Sequence, residues 1–355
     1  MSTARTLPHA ARAALTAVAA TVFSLLLAWS WLGSTHAAAP HDVPIGVVAS
    51  AQAESRLGAA LDAHVPGGFD LVSYPTRQQA ASALGHDDLS GVVVLTPPAA
   101  PGGPAHLELL TANAEGAASA QILTQTFTSV AGAEHASFST TDTVPLPTND
   151  RLGATGFLLV LATLIPCIAI GASLGLTGRK LGRVRLGLIA AGSAALIAGA
   201  DSLLTVAGLG ALAGHGPAVA GLLGLFALAV ILPIAAATRR FGIRPLPFAG
   251  LLLLGVGVPA TGLPAGINYF TPTVYHRIAS AVPNSATVNA LRDAVYFGGT
   301  HLSGELIGLG AWVAAGLLLL ALPTRRATNP ATAAASATAA TDTAQPDAPV
   351  ATAAR

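Results

Sequence analysis

The sequence is poor in charged residues and in cysteine. Only 9% of its 355 residues are charged and 52% are hydrophobic, whereas about a quarter are charged in an average soluble chain, so most of the surface is predicted to face lipid. The single cysteine, Cys167, lies in an apolar run and excludes an intrachain disulfide or a thiolate metal site. A net charge of +1 argues against nucleic acid as a partner, because neutralising phosphates requires clustered basic residues.

The sequence also lacks motifs for catalysis and for nucleotide or metal binding. The sole lysine, Lys180, does not fit G-x-x-x-x-G-K-[ST], so no P-loop ATPase resides on this chain. The densest group of candidate metal ligands, His86-Asp87-Asp88, has no recognised ligand spacing and is interpreted as solvated polar residues. The sequence therefore predicts neither an enzyme nor a cofactor or metal bound by this chain.

Six apolar segments are each long enough to cross a bilayer core, which takes about 20 helical residues. None of the six contains Lys or Arg, and if all of them cross, every basic cluster between and beyond them falls on one side. The positive-inside rule then predicts a multi-pass protein of the cell membrane with both termini in the cytoplasm. The segments are residues 13–32, 153–176, 186–209, 217–238, 246–266 and 302–322.

The first segment has two interpretations. Arg5 and Arg12 before it and Ala37-Ala38-Ala39 after it fit a cleaved signal peptide, which would leave five spans and an outer N-terminus. Its apolar stretch is longer than the roughly 7–15 residues of a usual signal core, which favours an uncleaved anchor. Residues 1–12 are then a short cytoplasmic N-terminus.

Residues 33–152 are predicted to form an extracytoplasmic α/β domain, because short apolar patches suited to strands and helices alternate there. Residues 137–149 are interpreted as an extended tether to the five-helix membrane region, residues 153–326, and residues 327–355 as a disordered cytoplasmic tail. The predicted fold class is a mainly α membrane protein, a six-helix transmembrane bundle with an inserted small α/β domain. The predicted strands are 43–48, 70–74, 91–95 and 106–110, and the predicted helices are 51–64, 77–84 and 114–130.

Three polar residues near the outer ends of the spans are candidates for a substrate or proton pathway. Asp201 is the only acidic residue well inside a predicted span, where a charge is expensive to bury. Glu305 and His301 should lie at a similar depth, so the three are expected to line an outward-facing cavity. The alternative is a structural Asp201 that is hydrogen-bonded to Ser202 or Thr205 or is reached by water near the membrane interface.

Several stretches are similar to a family of bacterial permeases. Val43-Pro44-Ile45-Gly46-Val47-Val48 follows the first span directly, and Gly91-Val92-Val93-Val94-Leu95-Thr96-Pro97 reads as a strand that ends in proline. The segment from Pro272 to Pro283, followed by Asn289-Ala290-Leu291-Arg292-Asp293-Ala294-Val295-Tyr296-Phe297-Gly298-Gly299, is similar to the outer hairpin and helix that such permeases place before their last membrane helix. In these residues the chain resembles the phage-infection-protein-like (YhgE/Pip) branch of the ABC-2 permease class. It departs from that branch at Ala49-Ser50-Ala51, which replaces a polar strand end.

The resemblance implies the permease subunit of an exporter for a lipophilic or cell-envelope-related substrate. Such a subunit works in the lipid bilayer as a homodimer or heterodimer with a separate cytoplasmic ATPase subunit, and the candidate docking loop carries Arg179, Lys180, Arg183 and Arg185. The hairpin, residues 267–301, is predicted to lie at the outer membrane boundary, where aromatic residues concentrate. Its candidate residues are Tyr269, Phe270, Tyr275, Arg292, Asp293, Tyr296 and Phe297. The alternative function is a non-transporting envelope scaffold or receptor that acts through the outer domain.

Overall fold

The computed structural model describes residues 8–36, 39–98, 103–262 and 268–323. The described chain is mainly helical with one small mixed sheet, and five of its helices are long and apolar enough to cross a membrane, as expected of a membrane protein. Both Ala37-Ala38 of the candidate cleavage site and the predicted tail, residues 327–355, lie outside the described residues. The five helices are α1 (His9–Thr35), α5 (Thr155–Thr177), α6 (Arg183–Ser202, continued by a π-helix over Leu203–Gly208), α7 (Gly216–Phe241) and α11 (Leu302–Ala321).

The predicted segment 246–266 is not a regular helix, so the count of six spans is not confirmed. A short helix α8 (Leu246–Gly250) runs into a π-helix over Leu251–Val256, and a 3-10 turn follows over Pro259–Thr261. Two causes lie in the sequence, since glycines at 255 and 257 weaken a helix and Pro259 cannot donate an amide hydrogen bond. Residues 263–266 of this segment lie outside the described residues.

Side chains from two neighbouring helices satisfy the carbonyl groups that this irregular segment leaves free. They come from α1 and from α10 (Pro283–Tyr296), which follows the short helix α9 (Thr273–Ile278). The bonds from Trp31, Asn284 and Ser285 measure 2.6 to 2.8 Å. A carbonyl without a partner would cost several kcal/mol in an apolar environment, by order of magnitude about 2–7 kcal/mol. The donor and acceptor pairs are Ser30 and Gly255, Trp31 and Leu254, Asn284 and Leu253, and Ser285 and Ala260.

The sheet of the α/β domain has the strand order β2-β1-β3-β4-β5, in which only the β3–β4 pair is antiparallel. All four predicted strands and all three predicted helices are confirmed, with bounds that shift by three residues at most. The strands are β1 (Val43–Val48), β2 (Phe69–Ser73), β3 (Gly91–Thr96), β4 (His106–Thr111) and β5 (Ser137–Asp142), and the helices are α2 (Ala51–His64), α3 (Arg77–Gly85) and α4 (Ala117–Ala133).

The strand β5 corrects the interpretation of residues 137–149 as an extended tether. Ser137–Asp142 pairs in parallel with β4 along its whole length, with Phe138 opposite Leu107. Its sequence, Ser-Phe-Ser-Thr-Thr-Asp, has one apolar residue and therefore carries little of the alternation that marks a half-buried strand. Residues 137–142 therefore form a strand because they pair with the edge of β4, although their own sequence does not predict one.

The helix α7 is the centre of the membrane-type bundle, and α5, α6 and α11 pack around it. Glycines permit the closest approaches. A Cβ atom at Gly175 of α5 would lie 1.8 Å from Thr238 Oγ1 of α7, and one at Gly316 of α11 would lie 2.8 Å from the Pro233 nitrogen. The helix α10 also packs against α5, α7 and α11, and its first five residues are all buried. Its N-terminal half is thus part of the bundle core.

Candidate functional site

A polar cluster forms where the α/β domain meets the membrane-type bundle. It is built from the turn after α3, the loop before α4, the last turns of α10 and the connection to α11. The positions are set by local structure: α3 and β4 end at this side of the sheet, and α10 ends at Tyr296, with Phe297 as its C-cap before two glycines with positive φ, Gly298 and Gly299. We refer to Asp87, Asp88, Glu115, Arg292, Asp293 and His301 as the junction cluster.

Asp293 organises the turn between α10 and α11. Its Oδ1 accepts a hydrogen bond from the backbone N–H of Thr300 at 3.2 Å, and its Oδ2 accepts one from the N–H of His301 at 2.8 Å. The turn is then tied to the α/β domain, since Thr300 Oγ1 donates to the carbonyl of His86 at 3.1 Å and His301 Nε2 lies 3.3 Å from Asp88 Oδ1.

Glu115 is a buried acid of the cluster, with 6% of its surface exposed. Ser90 Oγ donates to its Oε1 at 2.9 Å, and Arg292 Nη1 donates to its backbone carbonyl at 3.2 Å. Burial and then the nearby Asp87 raise the pKa of Glu115 to about 8, although Arg292 acts in the opposite direction. Burial also raises the pKa of Asp87. The cluster is thus a site where a carboxyl group holds a proton near neutral pH.

A second polar link joins the end of the α/β region to α10 and α5. Tyr296 donates its hydroxyl hydrogen to Asp150 Oδ2 at 2.7 Å, while Asp150 Oδ1 accepts from the N–H of Thr155 at 3.2 Å, at the first residue of α5. Burial and this hydrogen bond raise the pKa of Tyr296 above its ordinary range. One carboxylate therefore connects the start of α5 to the end of α10.

A cavity of about 430 Å³ lies beside Glu115 and Arg292, between α4 and the bundle. Its lining is mainly apolar, with a few polar side chains among the apolar ones. The larger apolar residues are Phe157, Leu212, Val288 and Leu291, and the charged or amide side chains are Glu115, Gln121 and Arg292.

The aromatic residues of the hairpin do not form the predicted belt at a membrane boundary. Phe270 is 1% exposed and packs in the core of the α/β domain against β1 and α4, and Phe297 is 3% exposed and packs against α3 and β3. Tyr269 and Tyr296 pack at the edges of the same two clusters. Tyr275 alone faces α1, where its hydroxyl lies 2.9 Å from Ser30 Oγ. The hairpin thus clamps both faces of the sheet, which is a correction to the sequence-based expectation.

The three candidate pathway residues have different hydrogen-bond partners, and their shared cavity stays a prediction. Asp201 Oδ2 accepts a hydrogen bond from Thr163 of α5 at 2.6 Å, and neither Ser202 nor Thr205 is its partner. Among the described residues no hydrogen bond or ion pair joins Asp201 to Glu305 or His301.

The two other candidates have different environments. His301 belongs to the junction cluster through Asp88 and Asp293. Glu305 lies in the first turn of α11, and its Oε2 is buried without a hydrogen-bond partner in the described part of the chain.

The candidate ATPase-docking loop is exposed, and its backbone is held by hydrogen bonds from α7. Arg239 of α7 donates hydrogen bonds to the carbonyls of Gly178 and Leu181, each at 2.9 Å. The loop backbone is thereby held in place, while the basic side chains point to solvent at its surface. These exposed residues are Arg179, Lys180, Arg183 and Arg185. Docking itself stays a prediction.

Sequence reasoning missed Glu115 and misjudged Asp87. The acidic pair Asp87-Asp88 was visible as a cluster, but only the folded chain brings Asp87 close to Arg292 and Asp293. Among the described residues no group of three or more His, Cys, Asp or Glu side chains could hold a metal ion. Gly171-Ala172-Ser173-Leu174-Gly175 matches G-x-S-x-G, but it lies within α5 and not at the strand-to-helix turn that exposes a nucleophile.

The chain matches no protein-family model, no curated protein and no solved structure. Its function is therefore argued from the site alone.

Proposed function

We propose that the chain is the integral membrane permease subunit of an exporter for a lipophilic or cell-envelope-related substrate. In this proposal segment 246–266 and the hairpin complete a six-segment membrane domain, residues 33–152 lie outside the cell, and both termini lie in the cytoplasm. Two copies, or this chain and a related one, form one path with a separate cytoplasmic ATPase subunit.

The observation that carries the proposal is the break in the apolar segment after α7. In a membrane, non-helical backbone is tolerated only where protein buries it or where it lines a water-filled cavity. Transporters place such interrupted segments at their substrate path. Here side chains of α1 and α10 provide hydrogen bonds to four carbonyl groups of the break, so the irregular conformation is supported by specific partners.

The contacts between the α/β domain and the bundle further support an exporter in which the outer domain moves together with α10. Phe270, Phe297, Tyr296 and Thr300 all join the domain to the hairpin. A rotation of the domain would therefore move α10, which packs against α5 and α7. An exporter needs such coupling between an outer domain and its membrane path, and a passive anchor does not.

Purification in mild detergent tests the proposal. We expect the tagged chain to co-purify with a nucleotide-hydrolysing subunit and to contain two permease chains per complex. We also expect Gly257→Ala, which places a Cβ atom 2.5 Å from Asn284 Nδ2, to abolish the export phenotype of the complex. A chain that purifies alone, with Gly257→Ala fully active, would contradict the proposal.

One observation favours the alternative, a scaffold or receptor that acts through the outer domain. A second cavity, of about 390 Å³, lies where β1 and β3 end and α2 begins, and its lining includes Ser50, Arg56 and Pro97. The carboxyl ends of parallel strands are where open α/β sheets bind ligands. If substitutions at Arg56 reproduce the null phenotype while Gly257→Ala does not, the receptor alternative is favoured.

A further inference from the structure

We propose that the cavity between α4 and the bundle binds an amphiphilic cation, a molecule with a long apolar chain and a primary or secondary ammonium head that lies beside Glu115. This assignment deepens the proposed export function and rests on it for the direction in which the ligand travels. Binding itself can be measured without transport.

The first step of the argument is the size and position of the cavity. Its volume of about 430 Å³ lies within the range of about 300–1,000 Å³ that small-molecule sites occupy. Such sites concentrate at domain interfaces and combine an apolar lining with a few converging polar groups. Both conditions are met here, because the α/β domain contributes one wall and the bundle contributes the other.

The second step is the mixed chemistry of the lining. Phe157, Val288 and Leu291, from α5 and α10, form an apolar surface that suits a hydrocarbon chain. Glu115, Gln121 and Arg292 add polar groups to the same cavity, beside which a polar head would be placed. A wholly polar ligand would leave the apolar surface unused, and a wholly apolar one would leave the polar groups without partners.

The third step is charge. Glu115, Asp87 and Asp293 surround one guanidinium group, that of Arg292, while His301 faces Asp88. The two carboxyl oxygens of Asp293 are already used by backbone N–H groups. Glu115 has a hydrogen bond on Oε1 only, from Ser90, and none on Oε2 within the described residues. One more positive group is therefore the charge that this site lacks.

The raised pKa of Glu115 is consistent with this shortage of positive charge. Burial, and then the nearby Asp87, raise the pKa of Glu115 to about 8, and the single positive group beside it, Arg292, does not offset them. An ammonium head would supply the missing counter-charge and would form a charge-assisted hydrogen bond with Glu115.

Photolabelling of the full chain in lipid nanodiscs tests the inference. The probe is a long-chain primary amine that carries a diazirine on its hydrocarbon chain. We expect labelled peptides from the start of α5 and from α10, and protection by an unmodified amine but not by a carboxylic acid of the same chain length. In Glu115→Gln we expect labelling at subsaturating probe to fall about tenfold, because a buried charge-assisted bond is lost.

Three further variants separate binding from folding. Ala118→Phe, in the first turn of α4, should fill part of the cavity and reduce labelling while Glu115 stays in place. Glu134→Gln and Ala133→Phe are exposed controls on the last turn of α4 and should label like the unmodified chain. If Glu115→Gln does not fold, as judged by gel filtration, Ala118→Phe and its control decide the outcome.

Several results would overturn the assignment. They are full labelling in a folded Glu115→Gln variant, better protection by the carboxylic acid than by the amine, and labelling confined to exposed bundle residues such as Leu188. If the chain co-purifies with an ATPase but is not labelled specifically, the ligand assignment is refuted and the export function is not. If the chain is labelled specifically but has no ATPase partner, the export function is refuted and the ligand assignment is not.

Discussion

Thr163 on α5 donates a hydrogen bond to Asp201 on α6 across 2.6 Å, inside the bundle. Thr163 is fully buried and Asp201 is half-buried near the end of α6. This pair explains how an acidic residue is accommodated in an otherwise apolar helix. The pair includes no residue of the junction cluster.

Thr163→Val should destabilise the bundle by about 1–3 kcal/mol, because it leaves a partly buried carboxyl group without its donor. Asp201→Asn keeps an oxygen that can accept the bond and should cost less. Thermal unfolding of the detergent-solubilised chain measures both. Thr177→Val is the matched control, since the Thr177 hydroxyl donates only to the Ser173 carbonyl on an exposed turn. Equal losses in Thr163→Val and Thr177→Val would contradict the prediction.

Phe297→Ala should cost about 3–5 kcal/mol, the range for deletion of a buried aromatic ring. Phe297 is 3% exposed and packs in the domain core on the side of α3. The loss of stability should therefore appear as earlier protease cleavage within residues 77–98. Phe248→Ala is the control, because that ring is 74% exposed. Limited proteolysis followed by mass spectrometry measures the difference, and similar cleavage in both variants would argue against the clamp.

The junction should lose stability as the pH rises. The pKa of Glu115 in the folded chain, about 8, is above its ordinary value of 4.5, so the folded state binds more protons between these values. The stabilising contribution is therefore complete below about pH 4.5 and is lost as the pH rises through 8. Asp87 shifts in the same direction. The charged and titratable groups that face Glu115 are Asp87, Arg292 and Tyr269, with Asp88, Asp293 and His301 around Asp87.

Hydrogen exchange of the peptides around residues 87 and 293 at pH 6 and pH 9 measures this effect. Corrected for the intrinsic rate, exchange should be faster at the higher pH in the unmodified chain. In Glu115→Gln the amide cannot ionise, so the difference should shrink. The same pH dependence in both proteins would show that another group controls the junction.

Gly257→Ala should destabilise the break in segment 246–266, since its Cβ atom would meet Asn284 Nδ2 and the Leu253 carbonyl, each at 2.5 Å. These two atoms form the hydrogen bond between α10 and the break. Gly221→Ala is the control, because no atom lies within 4 Å of its Cβ position and alanine favours a helix. Thermal unfolding should show a loss for the first variant and no loss for the second.

Charge reversal at Arg179 and Lys180 should abolish co-purification of an ATPase subunit, because both side chains are exposed on the loop that Arg239 braces. The bundle itself should keep its thermal stability, since neither side chain is buried. Arg56→Glu, an exposed reversal in the α/β domain, serves as the control. If the double variant still co-purifies with the ATPase subunit, the ATPase docks on a different surface.

Local patterns predicted most of the α/β domain. Val43–Val48 and Ala51–His64 have the predicted bounds because a buried strand and an N-capped helix carry their signals within a few residues, with Ser50 as the cap. The strand Ser137–Asp142 was missed because its signal lies in its partner, β4. The five long apolar helices were likewise predicted from length and apolar composition.

The amino-acid sequence by itself determined the apolar helices, the inserted α/β domain and the start of α10 at Pro283, since each depends on residues close together in the chain. Only the tertiary structure decided which side chains bond the carbonyl groups of the break after Gly250, the burial of Phe270 and Phe297, and the meeting of Glu115 with Asp87 and Arg292. Those features depend on contacts between residues far apart in the sequence. Hydrogen-bond partners, burial and charge at such contacts are properties of the packed chain, which no local pattern encodes.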